Sequence, residues 1–293
     1  MTSKFKGMVY TIVSALLYGV TPVLASLTYE MGNNAATLTF YRNLLAVPVA
    51  AAVMLAKKIP FRLTKKELVL LLTVGILFRA STTFMLYESY QYAGIGVSTT
   101  LHFLYPVCTA LICRILFREK LGKGKVLALC IATAGIACFC DFSGSIRPAG
   151  VVLALASAVT YGLYMTGMDK TMLKDMDPIK VVFYMGISNS AAMLALGLPQ
   201  GQIVFVLPPL AMFYIFIVAV GTSFAAAALL QMGIRGLGAP TAAIFSMFEP
   251  IACVLAGWFF LSEAMPLNKI VGCVVILTAV TVIALIDRKK ASE

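Results

Sequence analysis

Charge is scarce in this chain. Of its 293 residues only 12% are Asp, Glu, Lys or Arg, whereas 61% are hydrophobic, and the mean hydropathy is +0.95. A soluble domain of this length needs far more charge to cover its surface, so that class is excluded. There is one His, and none of the seven cysteines (108, 113, 130, 138, 140, 253 and 273) belongs to a CxxC pair. A metal site therefore lacks its ligands, and the cysteines read as small packing residues in helices. Walker A, GxGxxG and HExxH patterns are missing too, which argues against ATP hydrolysis in this chain and calls for no cofactor.

What is present is apolar sequence in long runs. Segments of about 20 apolar residues, the length that crosses a hydrocarbon core, fall at 7–28, 34–56, 68–92, 96–117, 122–140, 148–168, 179–198, 208–233, 240–261 and 266–286. The expected fold is an all-α integral membrane protein of ten transmembrane helices, with both termini on one side. The first run follows Lys4 and Lys6 but contains Tyr18, Gly19 and Pro22 and no small-x-small cleavage site. It reads as a retained first span rather than a signal peptide.

Orientation follows from the basic residues. With a cytoplasmic N-terminus, every Lys and Arg outside the span interiors falls on the inner side except Arg147 and Lys269; Arg42 and Arg79 lie within spans. That asymmetry is the positive-inside pattern of a cell-membrane protein. It also accounts for the net charge of +11, which marks topology and contact with anionic headgroups rather than nucleic acid.

The chain repeats itself. "SALLYG" (14–19) matches "SAVTYG" (157–162) at an offset of 143 residues. "FLYPVCTALICRILFREKL" (103–121) matches "MFEPIACVLAGWFFLSEAM" (247–265) at an offset of 144, with Pro106 on Pro250 and Glu119 on Glu263. Two five-helix units are expected, 1–144 and 145–293. An odd helix number makes the second enter the membrane inverted, a plan common among secondary transporters.

These residues resemble a known family. "FEPIACVLAGWFFLSEAMPLNKIVGCVVILTAV" (248–280) is similar to the C-terminal signature of EamA-like transporters of the drug/metabolite transporter superfamily. "LYPVCTALICRILFREKLGKGKVLALCIATAGI" (104–136) resembles its first-half version, and "TFYRNLLAVPVA" (39–50) the start of its second helix. The resemblance implies ten helices, a central cavity, and export or exchange of small metabolites, often amino acids. Arg79, Glu88 and His102 are not marks of that family and are candidates for the selectivity of this chain.

Ionisable residues inside spans are expensive to keep and are functional candidates by default. Glu249 lies about ten residues into helix 9, near the midplane. It is expected to take up a proton, bind a substrate ammonium, or pair with an arginine; a static hydrogen bond is the alternative. Arg79 lies at similar depth in helix 3, so the two are expected to face one cavity, where a zwitterionic substrate would compete with their pairing. Pro106 and Pro250 free the carbonyls of His102 and Ser246 and are read as flexing kinks or as fixed ones. Arg42 is a site for an anionic group or an interhelical partner. Glu88 and His102 are candidates for an outer gate or proton relay, or packing residues. Tyr18 and Tyr161, at matching repeat positions, are cavity candidates, with Asn189, Thr222, Ser223, Gln231 and Ser246 as polar contacts. Tyr87, Tyr90, Tyr92, Tyr105 and Trp258 read as an interfacial belt. Glu119 and Glu263 read as acids offsetting helix dipoles.

The expected function is secondary transport of small organic metabolites by alternating access, with protons as a second candidate partner, by a monomer or a dimer. An uptake permease, a membrane-embedded enzyme and a channel are the alternatives. The enzyme reading needs clustered nucleophiles or paired acids, and the scattered acids form no such cluster.

Overall fold

The computed structural model describes residues 3–139, 146–262 and 264–292; Glu263 lies outside them. Among the described residues there are helices and no strands. In chain order the helices are α1 (Ser3–Tyr29), α2 (Ala35–Ala56), α3 (Lys65–Leu72), α4 (Ser81–His102), α5 (Tyr105–Phe117), α6 (Lys123–Ala137) and α7 (Pro148–Lys170). Then come α8 (Pro178–Gly197), α9 (Pro209–Val218), α10 (Ala227–Leu237), α11 (Ala239–Phe245), α12 (Phe248–Leu261) and α13 (Leu267–Ser292). Two π-helical segments, Thr73–Ala80 and Ala219–Ala226, join α3 to α4 and α9 to α10.

Local chemistry sets the helix starts. Asn34 caps α2 by accepting from the Thr37 amide at 2.8 Å. Thr64 and Glu67 form a reciprocal capping box on α3. Asp177 accepts from the Ile179 amide at 2.8 Å just before Pro178, and Pro148 and Pro209 open α7 and α9. Within the helices the near-absence of charge leaves lipid and other helices as the only partners for the side chains.

Nine helical stretches among the described residues are long and apolar enough to cross a membrane. The chain is a multi-pass membrane protein. The segment expected at 122–140 corresponds to α6, whose 15 described residues rise about 22 Å, short of a full hydrocarbon core. Two connections are tighter than the apolar runs imply. The expected gaps at 92–96 and 233–240 shrink to single glycines, Gly94 (φ 72°, ψ 162°) and Gly238 (φ 79°, ψ 155°). Both occupy positive-φ backbone that side chains disfavour.

These two glycines lie 144 residues apart, and other backbone features recur at nearly the same spacing. Short breaks at Phe103–Leu104 and Ser246–Met247 precede α5 and α12. Both helices end on a left-handed residue, Arg118 (φ 51°) and Ser262 (φ 53°). The π segments read TVGILFRA and AVGTSFAA, with Val, Gly, Phe and Ala in register. Pro106 and Pro250 sit in the first turns of α5 and α12, where a missing N–H is tolerated. The Ser246 carbonyl expected to be free accepts from the Glu249 amide at 2.9 Å.

Packing follows the same pairing. α1 lies against α12 and α7 against α5. At Gly19 an added Cβ would fall 2.7 Å from the Glu249 carbonyl oxygen and 2.9 Å from the Cys253 nitrogen. At Gly162 it would fall 3.0 Å from the Thr109 nitrogen and 3.1 Å from Cys108 Cβ. Each "SAxxYG" motif thus ends on the glycine that lets its helix touch the proline-bearing helix of the other half.

Glu119 does not cap a helix. The N-cap of α6 is Gly122, and Glu119 pairs with Lys170 at 2.9 Å. Lys170 also meets Asp169 at 3.0 Å, and Asp169 pairs with Lys174 at 2.7 Å and accepts from the Ala239 amide that opens α11. The linked charges of Glu119, Lys170 and Asp169 therefore join the segment after α5 to α7 and the start of α11.

The close approach at Gly19 is testable. Gly19→Ala should lower stability in detergent by about 1–3 kcal/mol, the usual range for overpacking. Gly96→Ala, with nothing within 4 Å of its Cβ, should leave thermal unfolding unchanged or slightly raised.

Candidate functional site

The helical breaks and the first π segment converge on a group of aromatic rings around one cation. The π segment carries Arg79, α1 carries Tyr18, and α7 carries Tyr161 and Tyr164 one turn apart. Arg79 Nη2 donates to the Tyr18 hydroxyl at 3.2 Å. Its guanidinium carbon lies 4.9 Å from the ring centre of Tyr164, 5.3 Å from that of Tyr161 and 5.8 Å from that of Tyr18. Cation–π attraction of this kind is worth more as water is excluded. Three phenol rings thus hold a charge that apolar side chains would leave unsolvated.

The aromatic group extends to the break before α5. Tyr105 packs edge-on against Tyr161 at 4.6 Å, and His102 lies 5.5 Å from Tyr161. His102 Nδ1 and Ser157 Oγ are 3.0 Å apart. Tyr105 is 1% exposed, which corrects its expected place in an interfacial belt. The break at Phe103–Leu104 makes depth counted along an unbroken helix misleading. Trp258, by contrast, is exposed. The Tyr105 hydroxyl is buried with no hydrogen-bond partner among the described residues.

Glu249 lies in the first turn of α12, whose backbone packs against Gly19, next to Tyr18 on α1. Among the described residues no ion pair within 4.0 Å joins it to Arg79 or Arg42. The expected direct pairing of Arg79 with Glu249 is absent in this conformation: the tyrosines hold the cation instead. Ser246, in the break itself, bonds back to the Ala242 carbonyl at 3.0 Å.

The remaining candidates divide. Arg42 Nε donates to Ser223 Oγ at 3.1 Å, the interhelical alternative of the two roles expected. Asn189, Ser223 and Gln231 line, with Arg79, Tyr164 and Asn43, a cavity of about 20 Å³, room for about one water. Gln231 Nε2 donates to the Leu173 carbonyl at 2.8 Å, and among the described residues its Oε1 and Asn189 Oδ1 have no hydrogen-bond partner. Thr222 bonds back to the Val218 carbonyl at 2.7 Å. Glu88 is elsewhere. Its carboxylate accepts from Gln91, whereas His102 lies beside Ser157.

Tyr164, Ser157 and Asn43 were not singled out from sequence, and Tyr105 was read there only as an interfacial residue. Tyr164 follows Tyr161 by three residues and Ser157 precedes it by four, the spacing of one helical face, so a face-by-face reading around Tyr161 would have found both. Chemically, the group offers a cation with N–H donors, a carboxylate, several hydroxyls and one imidazole, all at the meeting of both halves of the chain.

The sequence profile of the EamA-like transporter family matches residues 5–140 and again 148–285. The chain belongs to the EamA-like transporter family. It is similar to the uncharacterized inner membrane transporter YicL of Salmonella typhimurium, 26% identical over 99% of both chains. It is also similar to the uncharacterized transporter YwfM of Bacillus subtilis, 25% identical over 97% of both. A solved crystal structure superposes with a TM-score of 0.83, covering 96% of this chain and 98% of the other at 16% identity, which speaks to fold alone. This EamA-like protein is therefore a membrane transporter.

Replacing Arg79 separates stacking from charge. Arg79→Lys keeps the charge but loses the planar contact with three rings, so it should not restore the transport that Arg79→Gln loses. Tyr18→Phe keeps the ring and removes the acceptor. Thermal unfolding should show a loss of about 1.5–3 kcal/mol, as for a hydrogen bond to a charged group.

Proposed function

We propose that this EamA-like protein is a secondary carrier of small zwitterionic metabolites such as amino acids, working by alternating access as an exporter or exchanger. Its two five-helix units, 1–144 and 145–293, are inverted repeats that rock about the tyrosine group, and both termini are cytoplasmic in a cell membrane. Arg79 receives the substrate carboxylate and Glu249 its ammonium, with Tyr18, Tyr161, Ser246 and His102 completing the polar lining. Pro106 and Pro250 mark the flexing points.

The observation that carries this reading is where the repeated halves differ. Tyr105 stands opposite Glu249 in the repeat, and Ala225 of the second π segment stands opposite Arg79. Much of the backbone around these positions recurs: the glycine turns, the breaks, the left-handed helix ends, the two family matches. A repeated scaffold with unrepeated charges of both signs at its meeting point suits a substrate with two unlike ends. Repeated halves give two equivalent ways of closing, and the unlike charges give one polarity of binding.

The test is flux in proteoliposomes loaded with mixed amino acids, with and without a pH gradient. Glu249→Gln and Arg79→Gln should each lower exchange at least about tenfold while the protein stays folded, the effect of about 1.4 kcal/mol of lost binding or barrier stabilisation. If Glu249 also carries the coupling proton, residual flux through Glu249→Gln should lose its response to the gradient. Normal exchange in both variants would end the proposal.

A further inference from the structure

A second cavity lies away from the tyrosine group, at the end of the bundle where α2 begins. Its volume is about 260 Å³, and it is lined by Asn34, Phe84, Tyr87, Glu88, Met193 and Gln202. It shares no lining residue with the cavity beside Arg79. Two of its polar walls are already committed. Asn34 Nδ2 donates to the Gln202 carbonyl at 2.7 Å, and its Oδ1 accepts from the Thr37 amide to cap α2. Gln202 Nε2 donates to Gln200. Glu88 is the one charged group of the lining. Its bond is to the neutral amide of Gln91, and among the described residues no cation lies within 4.0 Å of it.

We propose that this cavity is a binding site for small primary ammonium ions bearing a short apolar tail, with the carboxylate of Glu88 as counter-ion and the rings of Tyr87 and Phe84 as its walls. A half-buried carboxylate lacking a cation is incompletely compensated, and binding an external cation supplies what the chain withholds. Aromatic faces add cation–π attraction, strongest for organic cations that shed water easily. Met193 and Phe84 leave an apolar surface for the tail. An inorganic divalent ion is a poor fit: it needs six or more oxygens, and no group of three or more His, Cys, Asp or Glu occurs among the described residues. The volume is below the usual range for larger organic ligands, which limits the tail to a few carbons. Binding here needs no flux, so the site stands whether or not the chain exchanges amino acids.

The experiment uses the full chain purified in detergent. Propylammonium chloride is titrated against potassium chloride at equal ionic strength, with sodium propionate as the anionic control, and the unfolding temperature is followed. Propylammonium should raise it saturably and propionate should not. Glu88→Gln should weaken the apparent affinity at least tenfold, Glu88→Asp should retain most of it, and Tyr87→Leu should weaken it about fivefold. Glu249→Gln should leave it intact, because that carboxylate belongs to the other site. No saturable response beyond potassium chloride would overturn the proposal. So would a response indifferent to Glu88→Gln and to Tyr87→Leu, or one lost in Glu249→Gln, which would place the ammonium at the central site instead.

Discussion

A guanidinium inside an apolar helical bundle needs partners, and the arrangement around Arg79 is built to supply them. Water is scarce at that depth, and an unpaired charge there costs several kcal/mol. Three tyrosines from two helices surround it, one hydroxyl bonding and three rings facing the cation. Rings are soft partners compared with a carboxylate: they lower the cost of burial without satisfying every donor. Among the described residues no ion pair within 4.0 Å joins Glu249 to Arg79. Under the proposed function, a molecule with two unlike ends would reach both Arg79 and Glu249.

The backbone makes that spacing possible. Continuous helices would carry Tyr105, His102 and Glu249 past one another at fixed pitch. The breaks at 103–104 and 246–247 and the π segment under Arg79 shift the register locally, aiming side chains that regular helices would aim elsewhere. Gly19 and Gly162 then bring α1 onto α12 and α7 onto α5, so each half of the chain touches the broken helix of the other. In the proposed rocking, motion of one half against the other would pass through the site.

Much of this was legible in the sequence, and what was not has a physical reason. The apolar runs gave the spans, because lipid leaves few alternatives to a helix of that length. The repeated "SAxxYG" and proline motifs pointed to Tyr18, Tyr161 and the α5 and α12 segments, and Arg79 and Glu249 stood out by the cost of their burial. Tyr105 was misplaced because sequence depth assumes an unbroken helix. The tight turns at Gly94 and Gly238 were drawn as longer gaps, since polarity fades before the helix does. Glu119 was read as a dipole partner because its ion partner, Lys170, is 51 residues away in the chain and adjacent only in the fold. The π segments have no signature in hydropathy, although TVGILFRA and AVGTSFAA do match once aligned.

The central claim is that the ring group around Arg79 and Glu249 opens to each side of the membrane in turn. Ser246 lies in the break beside Glu249 and is 5% exposed. The direct measurement is alkylation of Ser246→Cys, in a background with the native cysteines replaced, by a membrane-impermeant thiol reagent applied to sealed vesicles of each orientation. The account predicts labelling from both sides, slowed together by transported substrate. Labelling from one side only, whatever substrate is present, or from neither, would contradict it.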